Sequence, residues 1–237
     1  MLLLAIDTST SAITVALHNG TAVVAAASEV APRAHGERLA PMVRSVLEQA
    51  RVGPDDVTAV VAGEGPGPFT GLRVGLVTAC VFAWARGVPA YGLGSLDALA
   101  WRSLWDGRQR RPFGDRPPGQ RLLVATDARR KEVYWATYEV SREEPERLDG
   151  PSVGRAADLP SEVRALPSVG RGALLYPEAL TAWSPAAGPI LDVDAGALAD
   201  LAARRLARGE SLADPTPRYL RRPDARPAAA LVTRRTS

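Results

Sequence analysis

The chain is poor in cysteine, histidine and lysine. Its one cysteine, Cys80, has nothing to pair with, so no disulfide framework exists. Set inside an apolar run, Cys80 reads as a small buried hydrophobe rather than a reactive thiol. The two histidines, His18 and His35, are far apart and have no second His or Cys close in sequence. His35 therefore reads as a lone surface residue and not as a metal ligand. Lys131 is the only lysine among 29 basic residues. The arginine bias reads as GC-rich codon usage more than as function. The net charge is only +3, although the pI is about 9.4. Arginines gather at Arg108, Arg110, Arg111 and Arg116, and again at Arg218, Arg221, Arg222 and Arg226, with a single aromatic residue in each cluster, Phe113 and Tyr219, too few to interleave convincingly. A solvated loop explains such clusters as readily as RNA does. No apolar run approaches the roughly 20 residues of a membrane span. Met1–Asp7 lacks the basic start of a signal peptide and carries an early carboxylate. These absences point to a cytoplasmic globular protein, whose 237 residues can bury one large core or two small ones.

What is present is organised around Gly63-Glu64-Gly65-Pro66-Gly67-Pro68-Phe69-Thr70-Gly71-Leu72-Arg73-Val74-Gly75. The apolar run Val57–Ala62 before it reads as a buried strand. Phe69–Arg86 after it reads as a helix, so the stretch is the turn of half a βαβ unit. Walker A chemistry needs Lys then Ser/Thr after the last glycine, and Leu72-Arg73 stand there instead. The dinucleotide fingerprint fails at its third glycine, which is Thr70. Between Arg73 and Arg86 the only polar side chain is Thr78. A helix so apolar is either deeply buried or used at an interface. Gly71, Gly75 and Ala79 fall at i, i+4 and i+8, a smooth ridge that another helix could approach closely.

Taken in order, Leu2–Ile6 is a strand ending at Asp7-Thr8-Ser9-Thr10-Ser11. Ile13, Val15 and Leu17 mark a second strand, Asn19-Gly20 a hairpin turn, and Thr21–Val30 a third strand. Glu37–Arg51 is a helix with Pro41 in its first turn, ended by Gly53-Pro54. Asp55–Ala62 and Val88–Tyr91 are strands four and five. Ser95 caps a helix over Leu96–Leu104. This βββαβαβα order, with a carboxylate at the end of strand one beside a hydroxyl-rich turn, is how each half of the actin, hexokinase and Hsp70 superfamily begins. In that superfamily the turn holds phosphate, so Asp7, Thr8, Ser9 and Thr10 are nucleotide or phosphate candidates; an ordinary Asx turn is the alternative.

Asp106–Gln120 reads as a mobile Arg/Pro/Gly-rich loop. Leu122–Ala125 and Val133–Val140 then open a second meander with Asp127 just past a strand end, a weak internal echo. Ser168–Leu175 reads as a strand, Pro177–Ala182 as a short helix, and Ala195–Arg208 as a clear helix. From Asp214 the chain turns Pro- and Arg-rich. Pro217-Arg218-Tyr219-Leu220-Arg221 is expected to dock, and Arg222–Ser237 to be disordered. The expected division is 1–104 (N-terminal ASKHA-like subdomain), 105–120 (loop), 121–213 (C-terminal subdomain, its last helix packing back on the first) and 214–237 (tail). The fold class is α/β, with two ASKHA-like (RNase H-like) subdomains, the second shorter and irregular.

The sequence resembles the TsaB (YeaZ) family, the partner subunit in bacterial tRNA threonylcarbamoyladenosine synthesis. Four stretches carry the likeness: Leu4–Thr10, His35–Met42, the highly specific Gly65–Gly75, and Asp127–Tyr134 with the tail's Pro217–Arg221 beside it. Together they span about residues 1–221. The resemblance implies a non-catalytic role and a heterodimer with the catalytic subunit TsaD, joined by the ATPase TsaE. It implies that tRNA is met through the complex. A homodimer through the same surface is the expected fallback without the partner, because an exposed apolar helix face seeks cover, and no membrane is expected. No cofactor is implied beyond ATP or ADP at the interface of the complex. The catalytic paralogue places two metal-binding histidines just after strand five; the corresponding residues here are Ser95 and Leu99, neither a good ligand. Pairing is expected through the first two helices, at Leu39, Met42, Val43, Val46, Gly71, Leu72, Arg73, Gly75 and Ala79. Such a pair would bury on the order of 1,600 Å². Pro68 departs from the family's usual Ser, which would be an N-cap. The rival readings are an independent ASKHA-type ATP-dependent small-molecule kinase, a metallopeptidase and a plain RNA-binding module.

Overall fold

Leu3–Asp7 (β1) carries no polar side chain before its last residue, and all five residues are buried. It is the central strand of a sheet covered on both faces. Ala12–His18 (β2) pairs with it antiparallel, setting Thr14 opposite Asp7. Val23–Val30 (β3) follows a turn in which Asn19 Oδ1 accepts the amides of Thr21 and Ala22. Ala59–Gly63 (β4) and Ala90–Leu93 (β5) lie parallel on the other side of β1, giving the order β3-β2-β1-β4-β5. The computed structural model describes residues 1–104, 119–141, 144–183 and 188–221. Residues 106–118 of the expected loop Asp106–Gln120, and the expected disorder from Arg222 onward, lie outside those residues.

His35–Ala50 (α1) and Phe69–Arg86 (α2) cover one face of this sheet. In α1 the stripe Leu39, Met42, Val43, Val46 and Leu47 points inward at helical spacing. The helix starts two residues earlier than the sequence suggests, so Pro41 lies inside it and not in its first turn. Proline is tolerated there on the exposed side, at the loss of one backbone bond. In α2 the buried residues are Leu72, Gly75, Leu76, Ala79 and Ala83. Its opposite face stays in solvent, with Val77, Val81 and Trp84 exposed by 54%, 56% and 84%. Cys80 is on that outer face, which corrects the expectation of a buried cysteine. Partial burial, and then the charge of Asp214, push its thiol pKa up. By length and composition alone α2 could cross a bilayer, contrary to the expectation that no run approaches a span. Here its inner face packs on β1 and β4.

The second half repeats the first. Arg121–Asp127 (β6), Glu132–Val140 (β7), Pro145–Arg155 (β8), Pro167–Val169 (β9) and Thr181–Ala182 (β10) form a sheet of order β10-β9-β6-β7-β8. Position for position this is the first sheet's order, with a central strand again ending in Asp. The chain is thus α/β with two ASKHA-like subdomains. The second is shorter: Ser161–Arg164 (α4) and Arg171–Leu175 (α5) stand where the first has α1 and α2. The expected strand Ser168–Leu175 is in fact the end of β9, a turn and α5. The expected helix Pro177–Ala182 is a turn leading into β10.

Ser95–Arg102 (α3) and Ala195–Ala207 (α6) lie between the two sheets. They share one core with both, including Leu3, Val61, Leu99, Trp101, Val124, Tyr138 and Leu198. Each such side chain is worth roughly 1.5–3 kcal/mol of transfer free energy. The α6 helix is fastened to the first sheet. The Ala195 amide donates to Thr14 Oγ1 at 3.0 Å, and the Trp101 indole N–H donates to Asp200 at 3.0 Å. His18 Nε2 lies 3.4 Å from the same carboxylate, and Arg204 pairs with it at 2.8 Å. Burial alone would raise the Asp200 pKa, but the hydrogen bonds and charges of His18 and Arg204 outweigh it and leave the carboxyl below the ordinary value.

The tail docks as a strap across both halves. The Gly92 amide donates to Ala213 O, and the Arg218 amide to Glu64 O, both at 2.8 Å. Tyr219 packs on Phe69 with ring centres 4.8 Å apart. Arg221 donates to Ala128 O at 2.6 Å and pairs with Glu132 in the second subdomain.

Candidate functional site: the β1–α2 junction, the cleft and the outer face of α2

The stretch 63–75 is glycine-rich because it is pressed against the turn after β1. A Cβ on Gly67 would come within 3.0 Å of Ser9 backbone atoms, and one on Gly75 would overlap the Thr8 hydroxyl. Gly65 has φ +86°, a conformation an L side chain rarely adopts. Thr8 Oγ1 donates to Gly71 O at 2.7 Å and accepts from Gly75 N at 2.9 Å. These are the carbonyl and amide that would otherwise bond each other in the helix ladder. The smooth ridge Gly71, Gly75, Ala79 is therefore filled by this chain's own Thr8 and β-sheet.

Asp7 is fully buried. Its Oδ1 accepts from the Ser9 hydroxyl at 2.7 Å and the Ser9 amide at 2.8 Å, an Asx turn. Its Oδ2 accepts from Ser95 Oγ at 2.5 Å, and Ser95 Oγ in turn accepts from Gly65 N at 2.9 Å. Burial raises the Asp7 pKa, and the bonds from Ser95 and Ser9 offset only part of the rise. Ser95 is thus not a helix cap but a bridge between β1, the glycine turn and α3; the N-cap of α3 is Gly94. Leu99 is in the shared core. Among the described residues no group of three His, Cys, Asp or Glu side chains could hold a metal ion.

Of the four phosphate candidates, Asp7, Thr8 and Ser9 have side chains spent on this junction. Only Thr10 keeps a hydroxyl without a hydrogen-bond partner. The expected partner-contact residues also divide. Leu39, Met42, Val43, Val46, Leu72, Gly75 and Ala79 are buried within the first subdomain, because helical spacing aims them at the sheet. Gly71 is half-buried and Arg73 exposed. The face of α2 that no other element covers is Arg73, Val77, Cys80, Val81 and Trp84. Sequence reasoning missed these last four. Their signal was present: a helix with no polar stripe has an apolar outer face as well as an inner one.

A cavity of about 320 Å³ lies between the subdomains, beside the β1–α2 junction. His35 borders it, half-buried and donating from Nε2 to Thr10 O at 3.3 Å, so it is not a lone surface histidine. Asp127 lines the same cavity from the second subdomain. It is engaged by Arg129, through the amide at 2.7 Å and the guanidinium at 3.1 Å.

Comparison with known proteins places this geometry. Residues 26–226 match the family described as TsaD: tRNA N6-adenosine threonylcarbamoyltransferase. An uncharacterised protein of Mycobacterium tuberculosis is 38% identical over 229 residues, 95% of this chain and 94% of that protein. The tRNA threonylcarbamoyladenosine biosynthesis protein TsaB of Escherichia coli is 41% identical over 140 residues, 59% of this chain and 55% of that protein. Among solved structures, YeaZ from Pseudomonas aeruginosa superposes with a TM-score of 0.74 at 31% identity, covering 92% of this chain and 99% of that one.

Proposed function

We propose that this chain, which belongs to the TsaB (YeaZ) family, is a non-catalytic, cytoplasmic partner subunit in the formation of N6-threonylcarbamoyladenosine at position 37 of tRNA. It binds a TsaD-type threonylcarbamoyltransferase and supports that subunit's active site. A TsaE-type ATPase joins the pair, and tRNA is met through the complex.

The observation that carries this reading is the outer face of α2. Val77, Val81 and Trp84 form an uncovered apolar stripe about two turns long on α2, with Arg73 at one end. A tryptophan left 84% exposed is a large apolar surface in water, and aromatic anchors of this kind dominate protein interfaces. The neighbouring outer face of α1 is polar, with Arg44, Glu48 and Gln49 exposed, and suits the rim of such an interface. Without its partner the same stripe would pair two copies of this chain. A non-catalytic role is supported by the commitment of the Asp7–Ser9 side chains to packing and by Ser95 and Leu99 where the catalytic paralogue keeps its metal ligands.

The independent small-molecule kinase remains the competing activity. The test is reconstitution of threonylcarbamoyladenosine formation on tRNA from TsaD- and TsaE-type subunits with and without this chain, beside an ATPase assay of the chain alone. Modification that requires this chain, with no turnover by the chain alone, is the expected result. ATP turnover by the isolated chain would replace the scaffold reading with the kinase.

A further inference from the structure

The uncovered face of α2 does not end with the helix. Phe69, Arg73, Val77, Val81 and Trp84 recur at helical spacing, so they lie on one side of α2 over roughly 22 Å. At the amino end of this line three side chains are stacked. The Arg73 guanidinium lies 5.0 Å from the centre of the Phe69 ring, and that ring is 4.8 Å from the ring of Tyr219. Tyr219 belongs to the strap and is 38% exposed. The surface open to a partner therefore passes from the helix onto the strap.

The strap is fixed in this position by Glu64 of the glycine turn. Glu64 Oε1 accepts from the Thr216 amide at 3.0 Å, and the Glu64 carbonyl accepts from the Arg218 amide at 2.8 Å. The Glu64 side chain fills a recess that Gly92 leaves open, since a Cβ on Gly92 would overlap its carboxylate. Earlier in the strap, the charge of Asp214 adds to burial in raising the Cys80 thiol pKa. The strap thus runs beside the outer face of α2, from near Cys80 to Phe69.

The two arginines at this end differ. Arg218 is paired with Glu64 at 3.8 Å. Arg73 is exposed and makes no ion pair among the described residues; its one contact is the Phe69 ring. A guanidinium stacked on a ring keeps its planar fork of donors oriented, so little freedom is lost when the fork is used. Such a fork matches a carboxylate through two parallel hydrogen bonds. On a face that pairs with protein, the anion at hand is an Asp or Glu side chain.

We propose that Arg73 is a polar anchor of the pairing surface: it takes a carboxylate of the TsaD-type partner, and Tyr219 of the strap is a positioning residue that holds it through Phe69. The anchor presupposes that the outer face of α2 is the pairing surface. Trp84 at the far end supplies apolar burial, while Arg73 sets which way round the partner sits.

The test is isothermal titration of the full chain with a TsaD-type subunit at low and at high sodium chloride. Wild type is compared with Arg73→Ala, Tyr219→Ala, Tyr219→Phe and Trp84→Glu, each checked by thermal melting and for self-association by sedimentation. Arg73→Ala should weaken binding about tenfold or more at low salt, and much less at high salt, where the charge pair is screened. Tyr219→Ala should show the same salt-dependent loss and add little to Arg73→Ala. Tyr219→Phe keeps the ring that touches Phe69 and should bind as wild type does. Binding weakened by Trp84→Glu but unchanged by Arg73→Ala and Tyr219→Ala would overturn the anchor and leave the pairing surface in place. No binding by wild type would overturn both. Self-association lost in Arg73→Ala with partner binding intact would give the anchor to a second copy of this chain and overturn its assignment to the partner.

Discussion

Gly75 and Thr8 should behave as one unit, and a double-mutant cycle measures it. A Cβ on Gly75 would overlap Thr8 Oγ1 and stand 3.3 Å from its Cβ and Cγ2. Overpacking of this kind costs about 1–3 kcal/mol. Alanine returns up to ~1 kcal/mol of helix propensity over glycine, so Gly75→Ala should lose about 1–2 kcal/mol net. Thr8→Ala gives up two hydrogen bonds, but the freed Gly71 carbonyl and Gly75 amide can bond each other, so the loss is about 1–2 kcal/mol. In the double variant the overlap with the hydroxyl is gone, only the 3.3 Å contact with the residue-8 Cβ is left, and the propensity gain remains. It should then be no less stable than Thr8→Ala alone, a coupling on the order of 2 kcal/mol. Urea unfolding of the four proteins checks this. Losses that simply add, within about 0.5 kcal/mol, would mean that Gly75 does not meet Thr8 and that the ridge faces elsewhere.

Asp7→Asn should change the pH dependence of stability. The folded pKa of Asp7 lies above its ordinary 3.8, so the protonated form is the one folding favours. Its stabilising contribution is complete below pH 3.8 and is lost as pH rises through the folded value. Wild type should therefore lose stability relative to Asp7→Asn across that rise, and parallel unfolding midpoints from pH 4 to 8 would contradict it. Asp200 has the opposite sign: its folded pKa is lowered, so its contribution is present above pH 3.8 and fades as pH falls through the folded value. Asp200→Asn should cost stability at pH 7 and progressively less in acid, and a constant deficit would refute it. Arg221→Ala removes the bond to Ala128 O and the pair with Glu132, with a loss on the order of 1 kcal/mol and faster trypsin cleavage after Arg218; an unchanged cleavage pattern would mean the strap holds without Arg221.

The first subdomain was legible because its signals are local. Alternation in β2, the Asn19-Gly20 turn and the glycine turn before α2 each fix one element, and α2 was read to its observed ends. The second subdomain was not. β8 holds Gly150 and Pro151 in a charged, non-alternating run, a pattern only an edge strand tolerates, and an edge position is a property of the sheet, not of the segment. Among the candidate site residues, helical spacing identified the faces of α1 and α2 but not which face met the protein's own sheet. The residues Leu39, Val46, Leu72 and Gly75 were therefore assigned outward when they point inward.

The most direct measurement is the affinity of this chain for the proposed partner, a TsaD-type subunit, by isothermal titration, wild type against Trp84→Glu. The residue is exposed and off the core, so the variant should fold and melt as wild type does. A tryptophan anchor is worth about 2 kcal/mol or more, so binding should weaken roughly 30-fold or beyond. A folded Trp84→Glu protein that binds the partner as tightly as wild type would contradict the assignment of α2's outer face as the pairing surface.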